Sequence, residues 1–377
     1  MTEAGFLDRA RQLEPLVTNL RDSFDRERRL PLELVEAIRA AGLLRMWLPR
    51  AVGGAELAPL HFLDVAEELA RQDGSVGWCT TIAAGSARLA GAMDEEGMRA
   101  VFGTGDGVLV GTLAPAGEAI AVPGGYQVTG RWSYGSFIDH ADWVLGGCRT
   151  DDGGERLCLF PRTDAEVLDV WHVSGLRGTA SNDYRVSDLF VPDRLTIPII
   201  DFQPPPRHDG PLYAVPMTSL FASCIAMVAV GIARAALDHL VQIGSTKRIA
   251  GSPVLLRENP LAQIDLARGE AKLESGRAYL RRELGRMWED TVAGRPMTDT
   301  ALGRAKLAAC HATTCAIEAV DLAFQSAGGA ALREGSGLER CFRDVHAVGQ
   351  HARLTRHGTL EPVGKVLFGL SPDGVRL

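Results

Sequence analysis

The chain has 377 residues, 46% of them apolar and 23% charged, and a formal net charge of −7. These values exclude a mainly disordered chain, and the acidic balance argues against nucleic acid as a partner, because neutralising phosphates needs a concentrated basic surface. The length suits two or three packed units around a large core, and a small molecule is the expected partner.

The opening stretch MTEAGFLDRARQLEP carries early acids and lacks the apolar core of a leader. No later run reaches about 18 uninterrupted apolar residues, so neither export nor membrane insertion is expected. Seven cysteines are scattered along the chain without a CxxC pair. Neither a disulfide framework nor a metal site is therefore expected, and a reducing cytoplasm fits them best.

From residue 1 to 102, apolar residues recur at helical spacing: Leu7, Leu13, Val17 and Leu20, then Leu34, Val35, Ile38 and Leu43. Pro31 is placed to begin a helix, where its missing N–H costs nothing, and the paired glycines of AVGGAEL close the unit. A third helix is predicted in HFLDVAEELARQ, broken by Asp73, Gly74 and Ser75 before GWCTTIAAGSARLAG resumes.

Between 103 and 205 the composition changes. The runs GVLVGTL, EAIAVPGGYQVTGRWSY, DWVLGGC and RLCLFPR, punctuated by Gly, Pro and Asp, read as strands and turns of a small β domain. FQPPPRHDGP then reads as an extended connection.

Residues 206 to 377 return to long helices, ending in LERCFRDVHAVGQHARLT. SLFASCIAMVAVGIARAALDHLVQIG is apolar almost all round, which places it inside a bundle or at an oligomer interface. The predicted fold is α+β: an N-terminal helical domain, a central β-barrel-like domain and a C-terminal four-helix bundle. CHATTC puts Cys310, His311 and Cys315 on one helix, with His311 turned away from the Cys310 face, so no metal is expected there. GTGDG at 103–107 is not GxGxxG and gives no dinucleotide fold.

Read together, these stretches resemble the acyl-CoA dehydrogenase superfamily over nearly the whole chain. LPLELVEAIRAAGLLRMWLPRAVGG is similar to the family's N-terminal helix and loop, VTGRWSYGSFIDHADWVLGGC to its flavin-facing strand, and VSGLRGTASNDYRVSDLFVP to its second β signature. FQSAGGAAL followed by RCFRD resembles the bundle element that reaches the flavin of a neighbouring subunit. A dehydrogenase of this family needs a carboxylate base, in many members after the RD pair. Here that region holds His346, His351 and His357, with Glu361 too far on to match. DGSVGW, WSYGSFIDHADW and a histidine eight residues after Arg343 resemble instead the family's flavin-dependent monooxygenase branch.

That resemblance implies a two-component enzyme. A separate flavin reductase supplies reduced flavin, FMN or FAD, and O2 is the co-substrate, reacting through a flavin C4a-(hydro)peroxide. It makes His351 and Ser136 the expected catalytic residues. An imidazole titrates near working pH and can hold or take a proton, and a hydroxyl can donate or accept beside the flavin. Trp132, Ser133, Ser136, Thr179, Ser181, Arg248, Gln325, Gly328 and Gly329 are the expected cofactor contacts, Arg248 toward phosphates of another subunit beside Lys247. Gly175 and Gly178 either admit the cofactor to the backbone or simply form a tight turn. His140, Asp142 and His172 are given no catalytic role. Ser86 stands where related aromatic hydroxylases often carry a further histidine.

The expected function is oxygenation of a small aromatic or heteroatom-containing molecule by a cytoplasmic homotetramer. The alternatives are an FAD-dependent acyl-thioester dehydrogenase with Glu270 or Glu274 as base, and a non-oxidative member of the fold.

Overall fold

The computed structural model describes residues 4–103, 107–200, 203–354 and 360–372. The N-terminal helices are α1 (Ala4–Gln12), α2 (Glu14–Glu27), α3 (Leu32–Ala40), α4 (Pro59–Gln72), α5 (Gly74–Ser86) and α6 (Glu95–Phe102). Pro31 sits just outside α3 with extended ψ, so the helix starts one residue later than the sequence suggests. The DGS break is a cap: Asp73 accepts from the backbone N–H of Ser75 at 2.9 Å and starts α5 immediately after α4 ends. That abrupt restart turns α5 inward, with nearly all of its residues buried.

Seven strands follow: β1 (Leu109–Val122), β2 (Gly125–Gly135), β3 (Trp143–Thr150), β4 (Glu155–Pro161), β5 (Glu166–Leu168), β6 (Asn182–Pro192) and β7 (Thr196–Ile199). They form one mixed sheet in the order β5-β6-β2-β1-β3-β4-β7, antiparallel except for the parallel β1–β3 pair. Among the described residues the edges β5 and β7 do not pair, so the barrel-like sheet is curled rather than closed. Trp132 fills the curl. A Cβ on Gly117 or Gly146 would lie 2.4 Å from its ring, so these glycines clear space for the indole rather than mark turns.

The C-terminal part comprises α7 (Pro211–Ala214), α8 (Met217–Thr246), α9 (Pro260–Val292), α10 (Asp299–Ala327), α11 (Gly337–Val348) and α12 (Leu360–Leu367). Helices α8 to α11 pack together as the bundle, and α4 also lies against α8. Two helical stretches, Met217–Thr246 and Asp299–Leu332, are long and apolar enough to cross a membrane by length and composition; the most apolar windows are 94% and 56% buried within the protein. The apolar window of α8 is therefore covered inside one chain, as the bundle-interior reading expects. Residues 104–106 of GTGDG and His357 lie outside the described residues.

Candidate active site

A cavity of about 910 Å³ lies where the sheet, α5, the start of α8 and the turn after α11 meet. Ser133, Ser136, Thr179, Ser181 and His351 all line it. The remaining expected contacts do not. Trp132 is fully buried, donates from Nε1 to the Gly147 carbonyl at 2.7 Å and stacks on Tyr184, so the flavin-flanking role expected of it is corrected to a core role. The aromatic side chains that line the cavity are Trp78, Tyr134, Trp171 and Phe221. Trp78 stands within the DGSVGW stretch that carried the family likeness; nothing in its spacing marked it as part of the site.

The SYGS turn is built from backbone in the left-handed region. Tyr134 has φ 66° and Phe137 φ 65°, and the Ser136 N–H donates to the Tyr134 carbonyl at 2.8 Å. The tight turn ends β2 and aims the Ser136 hydroxyl inward. There Trp78 Nε1–H donates to Ser136 Oγ at 2.9 Å, Ser136 Oγ lies 2.8 Å from Ser181 Oγ, and Ser181 Oγ lies 2.7 Å from Thr179 Oγ1.

Counting protons fixes the direction of this chain, since each hydroxyl has one to give. Thr179 donates to the Leu176 carbonyl at 2.9 Å, because a carbonyl can only accept. Ser181 therefore donates to Thr179, and Ser136 donates to Ser181. The indole N–H, which can only donate, enters at the other end. Ser136 is left with an unused lone pair and no proton to offer, so it faces the cavity as an acceptor.

The loop carrying Thr179 and Ser181 is clamped from α11. Asp344 Oδ1 accepts from the Leu176 N–H at 2.6 Å, and Arg343 donates to the Ser174 carbonyl at 2.7 Å while pairing with Asp25 at 2.8 Å. A Cβ on Gly175 would lie 2.1 Å from the Arg343 carbonyl oxygen, and one on Gly178 would crowd Phe24 and Ser75. The two glycines thus make room for the protein's own elements, and Gly175 also lines the cavity. Leu176 at φ 53° and Ala180 at φ 44° are held in the left-handed region by this clamp. Asn182 adds a second tie, its Oδ1 accepting from the N–H groups of Val170 and Trp171 at 3.1 Å each. Burial, then the nearby Asp73 charge, pushes the Asp344 carboxyl above its ordinary range.

His351 follows α11 with its ring edge-on to Trp78, the centroids 5.8 Å apart. Its Nδ1 accepts from the Arg353 N–H at 3.3 Å, which leaves the proton of the neutral ring on Nε2. Burial, then the Arg353 charge, pushes its pKa down to about 4. At neutral pH His351 is an uncharged hydrogen-bond donor.

The other titratable candidates are engaged elsewhere. His346 bonds to Asp321 at 3.0 Å, His140 to the Leu30 carbonyl at 2.8 Å, and Asp142 accepts from the Val108 N–H at 2.9 Å. Glu270 makes two 2.8 Å bonds to Arg234, and Glu274 pairs with Arg277. Cys315 Sγ lies 3.4 Å from His311 Nε2, while Cys310 faces the Arg353 carbonyl. Among the described residues that line the cavity there is no aspartate or glutamate.

Gln325, Gly328, Gly329 and Arg248 are exposed and none of them lines the cavity. Lys247 ties their two segments together through the Ala327 carbonyl, and Arg248 donates to the Pro253 carbonyl. Within one chain these residues form a separate surface at the ends of α8 and α10.

The family models for the acyl-CoA dehydrogenase N-terminal and C-terminal domains match residues 6–97 and 223–356. Indole-3-acetate monooxygenase of Pseudomonas putida is 33% identical, covering 95% of this chain and 94% of that protein. The oxygenase subunit HsaA of a flavin-dependent monooxygenase from Rhodococcus jostii is 30% identical, covering 95% and 98%. Among solved structures, XiaF from Streptomyces, in complex with FADH2 and glycerol, superposes with a TM-score of 0.92 at 28% identity over 98% of this chain and 96% of that one. The chain belongs to the acyl-CoA dehydrogenase superfamily, in its branch of flavin-dependent monooxygenases.

Proposed function

We propose that this protein is the oxygenase component of a two-component system that uses reduced flavin and O2 to oxygenate a small aromatic molecule. One observation carries the reading: the cavity pairs a neutral histidine with a directed hydroxyl chain and, among its described lining residues, offers no carboxylate to remove a proton beside a thioester. Glu270 and Glu274, the candidate bases of the dehydrogenase alternative, sit in ion pairs outside it.

The residues present suit a flavin. The cavity volume of about 910 Å³ lies toward the upper end of the ~300–1000 Å³ found for small-molecule sites, which leaves room for a ring system and a substrate together. Ser136 presents an acceptor, the partner wanted by the N–H that a reduced isoalloxazine carries at N5 and an oxidised one lacks. Ser133 and the strained backbone around Tyr134 would flank the same ring system, with Ser181 and Thr179 holding Ser136 in orientation. Bound there, reduced flavin supplies the electrons that activate O2.

His351 contributes a donor at Nε2 that can hold an oxygen atom in place without bringing a charge into a dry site. Trp78 positions Ser136 through its N–H and meets the His351 ring in a T-shaped contact, so one side chain sets the spacing of both groups. The apolar walls at Ile82, Leu89 and Phe221 suit an aromatic ring, and the named substrate of the Pseudomonas relative is aromatic. Ser86, buried in the same wall, takes the place where related hydroxylases carry a histidine and so favours a ring without a phenol to deprotonate.

A separate reductase is the expected partner, as for an oxygenase subunit. A homotetramer is proposed from the exposed surface of Arg248, Gln325, Gly328 and Gly329, where a neighbour's cofactor tail would find a cation and backbone with little side-chain cover. Seven buried free thiols suit a cytoplasmic setting. The test is product formation from aromatic substrates by purified protein, a flavin reductase and O2. Mass gain of one oxygen supports the reading, and flavin reduction by acyl thioesters without O2 overturns it.

A further inference from the structure

The first turn of α8 brings Thr218 and Ser219 into the cavity lining. Ser219 is 4% exposed, and its hydroxyl, hidden from water, has no hydrogen-bond partner. A serine inside a helix often returns its proton to the carbonyl four residues back, as Ser223 does to the Ser219 carbonyl at 2.9 Å. For Ser219 that carbonyl belongs to Val215, which lies outside the helix and accepts instead from Arg88. The Arg88 guanidinium also donates to the carbonyls of Leu212 and Tyr213, at 3.0 and 2.8 Å, so one buried side chain fixes the approach to α8.

The backbone of the same turn is short of acceptors too. Pro216 precedes the helix and gives no side-chain cap. The Met217 N–H donates to Gln203 Oε1 at 2.9 Å and the Leu220 N–H to the Pro216 carbonyl at 3.2 Å. Between them, the N–H groups of Thr218 and Ser219 make no hydrogen bond among the described residues. A helix start has donors to spare and carries the positive end of the peptide dipoles. Here it adds a buried hydroxyl that the protein alone leaves unpaired, a cost that a bound molecule can remove.

We propose that Ser219 is a specificity residue: its hydroxyl and the N–H groups of that turn hold a carbonyl or carboxylate oxygen of the aromatic substrate, whose ring lies against Phe221. The N–H groups can only donate, so the match is to an acceptor, and an uncharged carbonyl meets it as an acid does. One χ1 step is all that Ser219 needs to present its proton to a molecule in the cavity its residue lines. A ring without such an oxygen leaves the hydroxyl buried and unpaired, and that penalty separates the two classes of substrate. This assignment rests on the reading of the cavity as the oxygenation site.

Calorimetry on the full chain with indole-3-acetate, indole-3-acetamide and 3-ethylindole tests it. Ser219→Ala is expected to weaken binding of the two oxygen-bearing probes by at least about fivefold and to leave 3-ethylindole within about twofold. The variant should melt no lower than the wild type, because it removes a hydroxyl that the protein alone leaves unpaired, and its reduced-flavin affinity should hold. An equal change for all three probes overturns the proposal, as does no change for any. A lower melting temperature would give the hydroxyl to the fold, and lost reduced-flavin affinity would give it to the cofactor; either result overturns it as well. Oxygen incorporation is scored separately. The expected affinity pattern with no oxygen transferred to any probe leaves the Ser219 site standing and sinks the oxygenase reading, whereas oxygenation of all three probes without a Ser219→Ala effect does the reverse.

Discussion

Trp78 Nε1 donates to Ser136 Oγ at 2.9 Å, tying the buried helix α5 to the turn that ends β2. The same indole meets the His351 ring, so one residue of the N-terminal part bridges the sheet side and the bundle side of the cavity. Its donation also completes the one-way chain of hydroxyls that makes Ser136 an acceptor.

Ser181→Ala tests that direction. Removing the Ser181 hydroxyl frees the Ser136 proton, so Ser136 gains the ability to donate to an oxidised flavin. The ratio of oxidised to reduced flavin dissociation constants should fall by about fivefold to tenfold, the worth of one hydrogen bond, measured by anaerobic and aerobic fluorescence titration. An unchanged ratio would show that the chain does not set the preference.

For His351→Ala, oxygenation turnover is expected to fall by roughly a hundredfold while reduced-flavin affinity changes by less than about threefold. Coupled product assays and flavin titration give the two numbers. Equal turnover would remove His351 from the chemistry.

The same histidine shapes stability against pH. Its pKa in the fold is about 4, below the 6.5 of a free imidazole, so the unfolded chain takes up the proton first. Stability should therefore fall as pH drops through that interval and be level above it, as far as this group is concerned. His351→Asn should flatten the decline, measured by thermal melts at about pH 7 and about pH 5.

At Asp344 the two roles of the carboxyl separate. Asp344→Asn keeps an oxygen for the Leu176 N–H and relieves the repulsion from Asp73, so its melting temperature should hold. Asp344→Ala leaves that buried N–H without a partner and should cost about 1–3 kcal/mol in denaturant unfolding, with weaker flavin binding as the 174–181 loop loosens. Equal stability of the two variants would argue against the clamp.

Periodicity and strand composition made most of the fold legible, because each long segment carried one period over many residues. The strands GVLVGTL through RLCLFPR lie where the sequence placed them, as β1 to β4. Trp132 was misread because a large aromatic in a strand looks the same from either face, and only the glycines on β1 and β3 show which side holds it. Trp78 went unnoticed as a site residue for the opposite reason. α5 is apolar all round, so no amphipathic stripe distinguishes its cavity side from its core side. Lys306, which lines the cavity from α10, lies 45 residues before His351, and no local pattern joins residues that only the fold brings together.

The central claim is that an oxygen atom of O2 reaches an organic substrate on this protein at the expense of reduced flavin. The most direct measurement supplies reduced flavin from a separate reductase under 18O2 with indole-3-acetate and reads the product by mass spectrometry. One 18O atom per product molecule is the expected result, with the amount of product cut roughly a hundredfold in His351→Ala. Product oxygen drawn from water, or no oxygenated product while an acyl thioester reduces oxidised flavin on the protein, would contradict it.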